Sequence, residues 1–449
     1  MTVLPGRPAT PGNTTTEAVL VTFGEAMRAR REAAGLSLRA LARQAHVDPG
    51  HLSRIEAGLR PPTAAVAEAV DQALDAGGAL IALGRRGGGP AWRLDDGSWS
   101  RDDAEVLAAS LVAAPPTPGS ALRLAHEWLI AEPPQVFEVR SGRRIGAATV
   151  EQVERRVHQL RLLDDHVGGE ETYALLTAEV EATAGLLRTA AYAEEVGRRL
   201  LVALGELCQV AGWVASDAGR LREAERLYLA GMRASHAGGD RAAAANNLSS
   251  LSYQVANAGD PRDALVLARS ASCGADGHAS ATTRALLLER VAWAQARAGD
   301  GTACDRTLGA VERELEQRRP DEDPVWVYWL SAGEVEIMAG RCWTELRRPL
   351  RAVPILERAT AGYGDDVARE TALYLTWLAV ALIQAGEVDR AADAALRALR
   401  LARLAHSSRA TGRVGAVHRA LGPYRGNVLV DEFDDAYRAE WSVGGAAEA

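Results

Sequence analysis

The chain has 449 residues, 47% of them hydrophobic, enough for two or three domains with real cores. A formal net charge of −8 excludes a global basic field that would draw the whole molecule to nucleic acid, so any such binding has to be local. The four cysteines, Cys208, Cys273, Cys304 and Cys342, form no C-x-x-C pair; this argues against a zinc site or a disulfide framework, and they read as small buried residues in a reducing compartment.

Residues 1–20 carry Pro5, Pro8, Pro11 and a run of threonines, without a basic stretch followed by an apolar one, and read as a disordered arm. No apolar run approaching the roughly 18 residues of a bilayer span stands out, which predicts a protein with no membrane contact and a cytoplasmic location.

Residues 21–83 read as five short helices. Phe23, Ala26 and Met27 give the first helix its apolar face, and Gly35 ends it. Ser37 caps a second helix built on Leu38, Leu41, Ala42 and Ala45, and Asp48 caps a third with Pro49 in its first turn and Leu52 and Ile55 facing inward. After Pro61 and Pro62, Thr63 caps a fourth helix on Val66, Val70 and Leu74, and a last turn runs from Leu80 to Leu83. The short turn between the second and third helices is a helix-turn-helix arrangement. All the basic residues of the chain are Arg, a bias that reads as genome composition. Between residues 20 and 60, however, seven Arg stand against four acids, and this is the local basic patch that the whole chain lacks.

The stretch RREAAGLSLRALARQAHVDPGHLSRIEAGLRPP resembles the XRE family of phage-repressor-like regulators in its R-x-x-x-G-L-S, L-A and L-S-R-I-E-x-G-x-R-x-P elements. The resemblance implies that the helix opening at Asp48 lies in the major groove of double-stranded DNA. Carried over, the base-reading positions are Pro49, Gly50, Ser53 and Arg54, with His51 at the groove edge. Pro49 and Gly50 have no side chain that pairs with a base, so readout rests on Arg54, whose fork fits guanine, assisted by Ser53 and His51. Arg39, Arg43 and Arg60 are the phosphate candidates. Where the family often has Gln at the second position of the second helix this chain has Leu38, so that contact is not carried over. Arg28, Arg30 and Arg31 are open to two readings, DNA contact or pairing with Glu25 and Glu32.

Residues 84–120, with GRRGGGP and APPTPGS at either end, read as a flexible linker, and QVFEVRSGRRIG beyond it as a small β-hairpin turning at Ser141-Gly142. Residues 121–449 read as helical, with Ala-Gly recurring at Ala218-Gly219, Ala258-Gly259, Ala298-Gly299, Ala339-Gly340 and Ala385-Gly386, about every 40 residues. Small residues (Ala224 with Gly231, Ala264 with Ala271, Ala391 with Ala398) suit tight helix crossings. The array is similar to lengthened tetratricopeptide repeats, which implies an all-α chain: a five-helix DNA-binding domain, then a right-handed α-solenoid of helix pairs.

If each Gly marks a turn, helical spacing puts Gln209, Ser249 and Glu289, then Trp213, Tyr253 and Trp293, then Asp217, Asn257 and Arg297 on one face, with Asn246 one turn further along. Aromatic bodies alternating with polar tips suit an extended peptide; the competing reading is packing between repeats, which is also the reading for Trp326, Trp329, Trp343 and Trp377. With LRLAHEWL, LRLLDDHVGG, AGWVASDAG and LERVAWAQARAGD, the chain resembles XRE regulators with tetratricopeptide repeats from high-GC Gram-positive bacteria. That resemblance implies a homodimer on a palindromic operator, with repeats that sense a peptide or other effector or serve as a protein-docking scaffold. No catalytic motif, metal cluster or cofactor loop is recognisable, so an enzyme is not expected.

Overall fold

The computed structural model describes residues 23–56, 62, 64–81, 99–112, 119–134, 139–166, 170–363, 368–405 and 408–444. The chain divides into two compact units, residues 1–91 and 92–449.

The first unit contains α1 (Phe23–Ala33), α2 (Leu38–Gln44), α3 (Pro49–Glu56) and α4 (Ala64–Ala73), followed by a helical turn at residues 79–81. Gly35, at φ 64°, closes α1: the Leu36 N–H donates to the Arg31 carbonyl and the Gly35 N–H to that of Glu32. Ser37 Oγ accepts from the Ala40 N–H at 3.2 Å and starts α2. His46, at φ 52°, takes the same left-handed position after α2 without glycine's freedom. Asp48 Oδ1 accepts the His51 N–H at 2.8 Å and starts α3. Phe23, Met27, Leu41, Leu52, Ile55, Val70 and Leu80 form the core. Gly24 lets α1 approach α3, since a Cβ there would lie 2.6 Å from the Ile55 carbonyl oxygen.

The second unit opens with α5 (Arg101–Val112) and α6 (Ser120–Ile130). The expected linker over residues 84–120 is thus interrupted by a helix: Trp99, Ala104, Leu107 and Leu111 are buried in the core of this unit. The acids Asp102, Asp103 and Glu105 masked that apolar stripe, and two of them occupy the first turn, where a helix favours them. Residues 135–138 of the expected hairpin lie outside the described residues, and among the described ones no strand pairs across Ser141-Gly142. The strand β1 (Arg143–Arg144) pairs in parallel with a distant β2 (Ala190–Ala191), which lies between α7 (Ala147–His166) and α8 (Glu170–Thr189) on one side and the repeats on the other.

The repeats follow as helix pairs: α9 (Glu194–Asp217) with α10 (Leu221–Ala237), α11 (Arg241–Ala258) with α12 (Pro261–Gly274), α13 (Ala281–Arg297) with α14 (Gly301–Glu316), α15 (Ala332–Glu345) with α16 (Pro349–Ala361), and α17 (Ala368–Ala385) with α18 (Val388–Leu404). Each helix packs on the next, and the first helix of each pair also packs on the first helix of the following pair, so those first helices form one layer. The helices α19 (Ser408–Leu421) and α20 (Val428–Gly444) close the array. Ala224, Ala264, Ala271, Ala391 and Ala398 are fully buried at the crossings. Arg369 donates to the Asp164 carbonyl at 2.8 Å, bringing the start of α17 back against the end of α7.

Gly219, Gly299 and Gly386 do sit in left-handed turns, at φ 78°, 79° and 80°. Ala339-Gly340 does not: it lies inside α15, where Gly340 makes room for the Leu356 side chain. The turn of that repeat falls at Arg347, at φ 53°. Length and composition alone would let α9 cross a membrane, a feature missed in the sequence, but 67% of its apolar window is buried by other helices, as in a core helix. Cys208, Cys304 and Cys342 are buried, whereas Cys273 is exposed.

Candidate nucleic-acid interface and effector face

Five of the described arginines of the first unit fall into two groups, and a sixth, Arg30, is half-buried on α1 and donates to the Ala26 carbonyl at 3.5 Å. Glu56, the last residue of α3, accepts from Arg31 through both oxygens, at 2.7 and 2.9 Å, and from Arg28 at 3.0 Å. Those bonds outweigh burial and hold the Glu56 carboxyl below its usual range; the bond to Arg31 is the largest contribution. Arg31 also donates to the Leu36 carbonyl at 2.9 Å. Arg28 and Arg31 therefore fasten α3 to α1, and the partner is Glu56 rather than the nearby Glu32 alone. Asp71 braces the end of the unit in a similar way. Burial disfavours its charge, but the backbone N–H groups of Gly78, Leu80 and Ile81 donate to it and keep its pKa below the ordinary value.

Arg39, Arg43, Ser53 and Arg54 are exposed, His51 is half-buried, and among the described residues no acid pairs with any of the three arginines. Arg39 and Arg43 project from α2 and Arg54 from α3, so these three exposed arginines sit on the two helices that a helix-turn-helix presents to a duplex. Arg60 lies outside the described residues.

In the array, Trp213, Tyr253 and Trp293 come together as anticipated, with ring centroids 5.7 and 6.4 Å apart in sequence along the row, and Trp377 meets Trp293 edge-on at 5.7 Å. The row is mostly packing. Trp293 is 1% exposed and Tyr253 is buried, as are Asn246, Ser249 and Glu289, while Gln209, Trp213, Asp217 and Arg297 are half-buried and Asn257 is exposed. Their polar tips tie repeats to one another. Gln209 donates to Ser250 Oγ at 3.2 Å, Trp293 Nε1 to Asn257 Oδ1 at 3.1 Å, and Arg297 to the Ala256 carbonyl at 2.9 Å and to Glu345; Ser249 Oγ returns its proton to the Asn246 carbonyl at 2.9 Å. Of the later tryptophans, Trp326 and Trp343 are core, whereas Trp329 is exposed and Trp377 half-buried.

The residue that sequence reasoning missed is Arg341. With the turn placed at Arg347, it occupies the position that Trp213, Tyr253 and Trp293 hold in the earlier repeats. Its guanidinium lies 5.5 Å from the Tyr253 ring centre, 4.9 Å from that of Trp293 and 5.2 Å from that of Trp377. Arg290 covers Tyr253 at 4.7 Å, and Arg413 covers Trp377 at 4.0 Å. Beneath the row, burial pushes the Glu289 carboxyl up to about 7, opposed by the charge of Arg290, and burial lowers the Arg290 pKa. The signal that would have located Arg341 is the repeat interval, which stretches in the fourth repeat and displaces the turn from Gly340.

Comparison with known families matches residues 22–83 to a helix-turn-helix domain. No curated protein matches the chain.

Proposed function

We propose that this chain is a sequence-specific transcriptional regulator of the XRE type that binds a DNA operator as a homodimer, in the cytoplasm and without enzymatic activity. In this reading the array, with tetratricopeptide-like repeats, joins the two copies and senses an effector. The observation that carries the proposal is the division of arginines in the matched helix-turn-helix domain: Arg28 and Arg31 are held by Glu56, while Arg39, Arg43 and Arg54 face outward without acids. Arg54 reads a guanine, Ser53 and His51 assist, and Arg39 and Arg43 hold phosphates. With Pro49 and Gly50 contributing no base contact, one half-site binds weakly, which makes a second copy on a palindrome necessary. The burial of Tyr253 and Trp293 favours a second reading of the array, a docking scaffold that senses no ligand.

Duplexes selected from a random pool by the full-length protein, followed by binding titrations across salt concentration, test the proposal. Arg54→Ala should cost about 1 to 3 kcal/mol at one base position and relax preference there, while Arg43→Ala should weaken all sequences alike and lower the salt slope by about 1. Absence of salt-dependent duplex binding would overturn the reading.

A further inference from the structure

Arg341 differs from two other half-buried arginines of the array. Arg297 pairs with Glu345, and Arg369 pairs with Glu370 at 3.0 Å. Arg341 has three aromatic rings around it and donates from Nη2 to Tyr253 Oη at 2.6 Å, and among the described residues it forms no ion pair with an acid. Its Nε is buried without a hydrogen-bond partner, and so are Glu289 Oε1 and Arg290 Nε on the neighbouring α13. Neither of the acids that reach this cluster pairs with Arg341. Glu289 faces Arg290 at 3.9 Å, and Glu334 accepts from the hydroxyls of Tyr363 and Tyr374 at 2.6 and 2.7 Å.

Ring faces attract a cation but do not neutralise it, and a guanidinium withdrawn from water without a counter-anion is costly. Unused donors on the planar fork match a planar two-oxygen acceptor. The half-buried Trp377, 5.2 Å from the guanidinium, supplies an apolar wall beside it, and the half-buried Trp213 another at the far end of the row, next to Tyr253. We propose that Arg341 is the anion-binding residue of the effector site and that the ligand carries a carboxylate on an apolar body, with the body lying against the exposed parts of Trp213 and Trp377. The carboxylate belongs either to the C-terminus of a short apolar peptide or to a free small carboxylic acid.

This inference deepens the effector part of the preceding reading. It is tested on full-length protein without DNA, so its failure leaves the DNA-binding part standing. Equilibrium dialysis with mass-spectrometric readout would compare two probe sets: apolar tripeptides of Ala, Val, Leu and Phe as free acids against their C-terminal amides, and aromatic and aliphatic monocarboxylic acids against their primary amides. Acids of one set should be retained at least tenfold over their amides, and the set retained identifies the source. Arg341→Gln should abolish that preference and Arg341→Lys, which keeps charge without the fork, should reduce it. Arg351→Gln, at a guanidinium 4.3 Å over the Trp343 ring and paired with Asp305, should leave it unchanged. Circular dichroism confirms that each variant is folded. Equal retention of acids and amides in both sets, or an acid preference that survives Arg341→Gln, would overturn the proposal.

Discussion

The two units use the same residue type in opposite ways. In the helix-turn-helix unit Arg28 and Arg31 bind the acid that locks α3 to α1, whereas Arg39, Arg43 and Arg54 point outward from α2 and α3 without an acid among the described residues. In the array Arg290, Arg341 and Arg413 are laid on aromatic rings between repeats. An outward guanidinium in water costs nothing to leave unpaired and is available to a phosphate or a base edge. One laid on tryptophan, as Arg341 is, has given up part of its water to ring faces that attract its charge without neutralising it. The difference teaches that surroundings, rather than the count of arginines, decide whether a guanidinium is offered outward or held within the packing.

The contrast breaks first at the aromatic row. Trp293→Ala removes a side chain that touches Tyr253, Trp377 and Asn257, and should cost the second unit about 3 to 5 kcal/mol while leaving the unfolding of the first unit in place; thermal melts followed by unit-specific proteolysis check this. Next comes Glu289. Its carboxyl is raised from an ordinary 4.5 to about 7, so the folded chain holds a proton that the unfolded chain has released, and stability contributed by the neutral acid is lost as pH rises across that window. Glu289→Gln should remove this dependence, up to about 3 kcal/mol, in denaturant titrations at pH 5 and pH 8.

Glu56→Ala sharpens the contrast from the other side. It should destabilise the first unit by about 2 kcal/mol, because Arg31 keeps only the exposed Glu32 and the Leu36 carbonyl and the tie from α1 to α3 is lost, yet spare the base preference of whatever protein remains folded. The carboxyl of Glu56 is held low, so this contribution is present above the usual carboxylate range and disappears as pH falls through the depressed value. The smallest effect expected is a gain: His46→Gly relieves a left-handed residue in the turn before α3 and should raise stability by roughly 0.5 to 1 kcal/mol, measurable as a shift in melting temperature.

Much of this was legible without coordinates. Ser37, Asp48, Gly35 and Pro49 announce the helix ends of the first unit because caps and left-handed turns act within three or four residues, and the apolar positions of α1 to α4 follow the helical period. The row of Trp213, Tyr253 and Trp293 was equally readable, since equal spacing from equivalent turns puts side chains on one face. Other features came only with the fold. Glu56 and Arg31 are 25 residues apart, Tyr253 and Arg341 are 88 apart, and Arg143–Arg144 finds its strand partner at Ala190–Ala191 rather than across a local turn. Arg347 took the turn from Gly340 because close packing on Leu356 claimed that glycine for a helix crossing. Periodicity and capping are local and survive in a linear reading; which charge meets which ring, and which is left without an acid, is settled by packing between segments that the linear order keeps apart.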